Sequence, residues 1–181
     1  WHDSDGTMKI LSDAKTTEGV YGVDGNHDSL KNLRQTMPQY GFTLLEDVGM
    51  RIKPGLYLGG VTFYGGDKDM PSIKDAIAGV QPGDFVLLLA HNPDIAFDQK
   101  AENVDLVLAG HTHGGQVTFL GMWAPALTAK GISRYGHQFK SGWANAEFGT
   151  KVFTSNGLGR SSISARVFAR PQIIFLTLKA Q

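Results

Sequence analysis

Short apolar runs, separated by polar segments that carry glycine, constrain the fold of this chain more than any other feature. The runs are rich in Val, Leu, Ile and Phe, and none approaches the roughly 18 to 20 residues of a membrane-spanning helix. Such runs are typical of buried strands that alternate with helices in an α/β fold. We predict strands at residues 19–23, 56–64, 84–90, 105–109, 151–155 and 172–178.

The segments between these runs predict helices and one hairpin. Helices are expected at residues 8–15, 29–40, 72–78 and 94–100. Asp28 or Ser29 can cap the second helix, because short oxygen-bearing side chains accept hydrogen bonds from the first turn. Pro54 and Gly55 predict a tight turn, since proline fixes φ and glycine accepts a positive φ. The turn indicates a hairpin that leads into the strand at 56–64.

Composition limits the domain count and the classes of ligand. A chain of 181 residues, 41% of them hydrophobic, suits a single domain over residues 1–181. Its 17 basic and 17 acidic residues cancel, which argues against binding to extended nucleic acid by phosphate neutralisation. Because the chain has no cysteine, a disulfide framework and a thiolate zinc site are excluded, and any metal must have nitrogen and oxygen ligands.

Histidines follow three of the predicted strands, in polar loops at residues 23–28, 89–94 and 108–116. A lone histidine after a strand is more often packed or hydrogen-bonded than a ligand, so each loop alone is a weak signal. Together they are informative, because residues just past the carboxyl ends of strands face the crevice where α/β sheets bind ligands. Imidazole nitrogens and an asparagine oxygen suit Mn, Fe, Zn or Mg. Convergence of Asn26, His91, His111 and His113 would therefore form a cation site.

The order of these motifs resembles the calcineurin-like metallophosphoesterases. The matching motifs are Gly25-Asn26-His27-Asp28, His91 and Gly110-His111-Thr112-His113. Further residues, including Gly114-Gly115-Gln116 and Arg170-Pro171, are similar to a bacterial phosphodiesterase branch that is often attached to membranes. The resemblance implies an α/β fold in which a layered sheet sandwich is flanked by helices.

The resemblance also implies a role for each matching residue. Asn26, His91 and His111 would bind one divalent metal ion, and His113 would bind the second ion of a binuclear centre. His27 would lie near the scissile phosphate, where it can stabilise charge or protonate the leaving oxygen. Asp28 would orient His27, and a helix cap is the simpler alternative for it. The implied reaction is hydrolysis of a phosphodiester or phosphomonoester by water that the metal centre activates.

The match is incomplete at its amino-terminal side. The family's Asp-x-His motif is missing, and Asp3 is only a weak substitute for the carboxylate of the Gly-Asp motif. We therefore expect a domain that lacks its N-terminal strands, binds one metal better than two, and can self-associate through unpaired sheet edges. The alternative to a hydrolase is a truncated, non-catalytic module that binds a metal or a phosphate.

Substrate and location are the least constrained by the sequence. The resemblance favours a small phosphoester, and the apolar residues 119–127 indicate either a loop that covers the core or a patch that touches lipid or another subunit. A lipid-linked substrate, association with a membrane surface and a homo-oligomer are expectations on this basis. The expected location is the cytoplasm or the membrane of a bacterium. Arg160, Arg166 and Arg170 either meet substrate phosphate or pair with surface carboxylates.

Overall fold

The computed structural model describes residues 4–63, 71–99, 101–128 and 132–179. Its strands are β1 (Val20–Gly22), β2 (Phe42–Leu44), β3 (Val48–Lys53), β4 (Leu56–Gly60), β5 (Phe85–Ala90), β6 (Leu106–Ala109), β7 (Gly142–Asn145) and β8 (Lys151–Thr154). Its helices are α1 (Ser4–Leu11), α2 (Leu30–Gln39), α3 (Ile73–Ala76) and α4 (Ile95–Asp98). Asp3, considered above as a metal ligand, lies outside the described residues. No helix in the described ranges has the length and apolar character needed to cross a membrane.

Six strands form the larger sheet, in the order β3-β4-β5-β6-β8-β7. The four central strands, β4, β5, β6 and β8, are parallel, whereas β3 and β7 run antiparallel at the two edges. Strands β1 and β2 form a separate parallel pair. Because the central strands run in one direction, the loops that follow β4, β5, β6 and β8 meet at one edge of the sheet.

The core of the larger sheet consists of aliphatic side chains from its central strands and the short helices beside them. Leu88, Val107 and Val152 come from three neighbouring strands, and each is completely buried. Burial of one such side chain stabilises the folded state by about 1.5 to 3 kcal/mol. The predicted α/β class is confirmed.

Most predicted elements are confirmed with shorter bounds. Strands β1, β4, β5, β6 and β8 occupy five of the six predicted runs, and all four helices overlap their predictions. The hairpin is confirmed, because β3 and β4 pair antiparallel around Gly55, whose φ is +80°. Ser29 rather than Asp28 caps α2, since its side chain accepts a hydrogen bond from the Asn32 backbone at 3.4 Å. Strands β2 and β7 were not predicted as separate elements.

The strand predicted at residues 172–178 is wrong. This segment has no regular secondary structure, and Phe175 is 94% exposed. Alternation of apolar residues gives a segment strand propensity, but a strand forms only where another strand accepts its hydrogen bonds. Among the described residues, the larger sheet ends at β7 and β3, and neither pairs with this segment.

Gly60 allows the two sheets to pack closely. A Cβ atom at this position would lie 2.4 Å from Leu45 Cβ and 2.9 Å from Val23 Cγ1. Leu45 is 1% exposed, and its backbone N–H donates to the Gly22 carbonyl, so it cannot easily shift. The small residue therefore brings the end of β4 against the loop that follows β1.

We predict that Gly60→Ala destabilises the protein by about 1 to 3 kcal/mol, because an added methyl group in a packed interior forces its neighbours apart. Chemical denaturation monitored by circular dichroism measures the change. Gly159→Ala is the matched control, since a Cβ there meets no atom within 4 Å. Equal stability of the two variants would contradict the prediction.

Candidate metal centre

Side chains from three loops meet at the carboxyl edge of the parallel strands. Asn26 follows β1, His91 follows β5 and His111 follows β6. Asn26 Oδ1 lies 2.9 Å from His91 Nε2, and His111 Nδ1 lies 3.1 Å from the same nitrogen. The two imidazole rings are 5.0 Å apart between centroids. Residues far apart in the chain thus bring one oxygen and two nitrogens to a common point.

Burial keeps the two histidines neutral. Burial lowers the pKa of His91 from 6.5 to about 3, and the nearby His111 is the second cause of this shift. The pKa of His111 is also lowered, mainly by burial, although a hydrogen bond with the Ile132 backbone acts in the opposite direction. A neutral imidazole offers a nitrogen lone pair, which a protonated one does not.

Phe63 forms a wall of this site that the sequence did not indicate. Its ring lies 5.5 Å from that of His91 and 5.8 Å from that of His111, measured between centroids. Its backbone N–H donates to Asp24 Oδ1 at 2.7 Å, which connects it to the loop after β1. Residues 56–64 were predicted as one strand, but β4 ends at Gly60 and the chain turns across the site. Phe63 lies inside the apolar run 56–64, so no local pattern distinguished it from a strand residue.

The Gly25–Asp28 turn presents Asn26 and His27. Asp28 Oδ2 accepts a hydrogen bond from the Gly25 N–H at 2.8 Å, and the Asp28 N–H donates to the Gly25 carbonyl at 3.1 Å. The carboxylate of Asp28 therefore closes the turn. His27 is exposed, and it lies near enough to His91, His111 and His113 for a charge on it to lower their pKa values.

Gly25 is required for the position of His91. A Cβ atom on Gly25 would lie 2.8 Å from both His91 Cε1 and His91 Nδ1. Gly110, the other glycine that precedes a site residue, would place a Cβ in open space. Of the two glycines, only Gly25 packs against a candidate ligand.

The loop after β6 has an unusual backbone. His111, His113 and Gln116 all have positive φ values, of 64°, 51° and 52°. This conformation costs about 1 to 2 kcal/mol for a residue with a side chain, so other contacts must hold the loop. The Thr112 hydroxyl donates to the Lys140 carbonyl at 2.7 Å, and Gln116 Nε2 donates to the Ser161 carbonyl, also at 2.7 Å.

A buried aspartate fixes the loop that follows β5. Asp94 is 2% exposed, and its carboxylate accepts hydrogen bonds from the Ser133 hydroxyl at 2.7 Å and the Arg134 N–H at 2.8 Å. Its charge also favours the protonated form of His111. Asp94 therefore ties the His91 loop to the chain on the far side of the site.

His113 is not part of the contact between Asn26, His91 and His111, and it lies against Arg166 instead. Arg166 Nη2 is 3.3 Å from His113 Nδ1, and Arg166 Nη1 donates to the His113 carbonyl at 3.1 Å. The guanidinium also donates to the carbonyls of Asn156 and Ala169. Among the contacts described, Arg166 thus binds carbonyl groups and a histidine rather than a carboxylate. Burial of this guanidinium lowers its pKa.

The donor set of Asn26, His91 and His111 fits one divalent cation. Donor atoms about 2.1 Å from an ion and at right angles to each other lie about 3 Å apart, close to the separations described above. One amide oxygen and two neutral nitrogens match the preferences of Mn, Fe or Zn. Within the described ranges, no group of three His, Cys, Asp or Glu side chains could hold a metal. A set of three donors at this point would therefore need the amide oxygen of Asn26 beside the two histidines.

Comparison with known proteins gives a family match over more than half of the chain. The model of the calcineurin-like phosphoesterases matches residues 4–115, which include all the candidate site residues. No solved structure matches the chain.

Several bacterial proteins are similar to this chain. An uncharacterized metallophosphoesterase of Bacillus subtilis, YkoQ, is 27% identical over 94% of this chain and 64% of its own length. One from Aquifex aeolicus is 27% identical over 98% of this chain and 70% of its own length. The phosphodiesterase YaeI of Escherichia coli is 34% identical over 51% of this chain and 32% of its own length. The chain thus spans only part of each relative.

We predict that Gly25→Ala lowers the affinity for Mn²⁺ by at least about tenfold, because the methyl group displaces the His91 ring from Asn26 and His111. Isothermal titration calorimetry measures the affinity. Gly110→Ala also adds a methyl group beside a candidate ligand, but the group meets no neighbouring atom, so its affinity should stay within about twofold. If both variants bind Mn²⁺ like the parent chain, the packing of Gly25 against His91 has no role in the site.

Proposed function

Because the chain belongs to the calcineurin-like phosphoesterase family, we propose that it is a metal-dependent hydrolase of phosphoesters. The main support for the proposal is that three atoms lie close together at the carboxyl edge of the sheet, namely Asn26 Oδ1, His91 Nε2 and His111 Nδ1. Phosphodiesters are the preferred class of substrate, as the name of the Escherichia coli relative supports, and phosphomonoesters are the alternative.

Asn26, His91 and His111 hold the principal metal ion in this proposal, and His113 belongs to a second, weaker position. Manganese is the first candidate, with Fe, Zn and Mg as alternatives, because the donors are one amide oxygen and imidazole nitrogens. A divalent cation bound here would neutralise charge on the phosphoryl oxygens and lower the pKa of a water molecule.

His27 acts on the substrate in this proposal. Its imidazole is exposed at the opening of the site, where it can donate a hydrogen bond to a phosphoryl oxygen or a proton to the leaving oxygen. Asp28 acts through the backbone, because its carboxylate closes the turn that carries His27. Phe63 excludes water from one side of the two histidine rings.

The proposal also covers the substrate class, the location and the self-association of the protein. The small phosphoester is lipid-linked in this proposal, and the protein works at a membrane surface in a bacterium. Self-association is supported by the exposed apolar side chains of residues 172–178, of which Ile173 and Phe175 are the most exposed. Extended nucleic acid is not a substrate in this proposal.

A second function has one specific observation in its favour. His113 is held by Arg166, and within the described ranges no three His, Cys, Asp or Glu side chains form a group that could hold a metal. A chain that binds one cation without hydrolysing phosphoesters would have this arrangement. The activity experiment below separates the two functions.

We predict one strong Mn²⁺ site per chain. His91→Ala, His111→Ala and Asn26→Ala should each weaken binding by more than about tenfold, whereas His113→Ala should change it by less than about threefold. Calorimetric titration gives the number of sites and the affinities. Asn32→Ala is the control for Asn26→Ala, because Asn32 is exposed on α2. Two equivalent sites, or an equal loss in His113→Ala, would contradict this assignment.

We predict that the parent chain hydrolyses bis(p-nitrophenyl) phosphate with Mn²⁺. His27→Ala should lower kcat by about 10² to 10⁴ while Mn²⁺ affinity stays within about threefold, because His27 contributes to proton transfer rather than to metal binding. His91→Ala should lose both properties. Release of p-nitrophenol measures the rate, and Asn32→Ala again serves as the control.

The same assay decides between the two candidate functions. If the parent chain binds Mn²⁺ but releases no product from the diester or from p-nitrophenyl phosphate, the hydrolase proposal is wrong and the binding module stands.

A further inference from the structure

Residues 119–123 form an exposed turn, called the apolar tip below. Phe119 and Trp123 pair as an antiparallel bridge, in which the Phe119 N–H donates to the Trp123 carbonyl at 2.7 Å. Phe119 is 67% exposed and Trp123 is 51% exposed, and Leu120 and Met122 are exposed between them. Because the backbone of the turn is closed on itself, its large apolar side chains point away from the core. Clusters of this kind mark interaction surfaces.

Basic residues lie on the two segments that contact the apolar tip. Lys140 Nζ donates to the Met122 carbonyl at 3.1 Å and also to the Gly121 carbonyl, so an ammonium group lies at the base of the turn. The segment 159–170 packs beside it, with the Thr118 N–H donating to the Val167 carbonyl at 3.0 Å and the exposed Phe168 next to Gly121. Arg160 and Arg170 are exposed on this segment.

The balanced charge of the whole chain conceals a strong asymmetry. Residues 1–105 contain 16 acidic and 9 basic side chains, whereas residues 106–181 contain 8 basic side chains and a single acidic one, Glu147. Glu147 lies in the turn between β7 and β8, at the sheet edge opposite the metal loops. The part of the chain that carries the apolar tip therefore has a net charge of +7. Such asymmetry favours an anionic partner.

We propose that the apolar tip inserts into the surface of an anionic lipid bilayer, while Arg160 and Arg170 contact the phosphate headgroups and Lys140 holds the base of the tip. A projecting turn with two aromatic rings fits a soft lipid surface better than a rigid protein surface, and aromatic side chains favour the interface between water and lipid. Each basic residue near an anionic surface strengthens binding about fivefold. The tip follows the loop of His111 and His113 in the chain, so docking brings lipid phosphoesters near the candidate metal centre. This last step rests on the proposed hydrolase function.

The test is co-sedimentation of the full chain with vesicles, in the absence of any hydrolysable soluble substrate. Vesicles of phosphatidylcholine are compared with vesicles that contain about one third phosphatidylglycerol. We expect the parent chain to prefer the anionic vesicles and to be released by added salt. Phe119→Ser combined with Trp123→Ser should lower partitioning at least about tenfold. Arg160→Gln and Arg170→Gln should each reduce the preference for phosphatidylglycerol about fivefold.

The matched control is Trp143→Ser combined with Phe148→Ser. Trp143 and Phe148 are 58% and 59% exposed, on the edge strand β7 and in the turn after it, so this variant removes the same two residue types from comparably exposed positions outside the tip. Its partitioning should stay within about twofold of that of the parent chain. Mn²⁺ binding and circular dichroism verify that both double variants fold.

Several results would overturn the proposal. These are the absence of vesicle binding, an equal loss in the two double variants, and equal binding to neutral and anionic vesicles. Vesicle-independent self-association that only Phe119→Ser with Trp123→Ser abolishes would make the tip an interface between copies. Binding to duplex DNA but not to vesicles would replace lipid by nucleic acid. Hydrolysis of bis(p-nitrophenyl) phosphate is measured separately without vesicles, so failure of docking and failure of the hydrolase proposal are distinguishable.

Discussion

The neutral state of His91 is the condition on which the arrangement of the candidate site depends. Its Nε2 atom is the point that both Asn26 and His111 approach, at 2.9 and 3.1 Å. A protonated ring at this position would be a buried cation beside another imidazole, with a large cost in free energy. Burial by the loops after β1, β4 and β6 removes this charge. The same burial that stabilises the fold therefore leaves the His91 ring neutral, with a nitrogen lone pair at this point.

The loops around His91 are held by polar contacts rather than by regular secondary structure. Asp94 ties one loop through Ser133 and the Arg134 backbone, and Arg166 ties another through the His113 carbonyl. These contacts offset the cost of the left-handed conformations at His111 and His113. The consequence is that hydrogen bonds to neighbouring segments hold the loops that carry His91 and His111.

The sequence predicted the features that depend on a local residue pattern. It did not predict those that depend on tertiary contacts between distant segments. Apolar runs located β4, β5 and β6, because buried parallel strands have a strong local signature. The run at 172–178 has the same signature, but no strand among the described residues pairs with it, so the prediction failed there. Asn26, His91 and His111 were identified as candidates from their positions after strands. Their mutual distances, and the packing of Phe63 and Gly25 against the rings, follow from tertiary contacts that no local pattern contains. The excess of basic residues after position 105 can be read from the sequence, but the net charge of zero for the whole chain does not show it.

Lys140 connects the apolar tip with the loop that carries His111 and His113. Its carbonyl accepts the Thr112 hydroxyl between the two histidines, and its ammonium donates to the backbone of the apolar tip. Lys140 therefore forms hydrogen bonds both to the apolar tip and to the histidine loop. Because both sets of hydrogen bonds belong to Lys140, a movement of the apolar tip relative to the histidine loop would strain at least one of them.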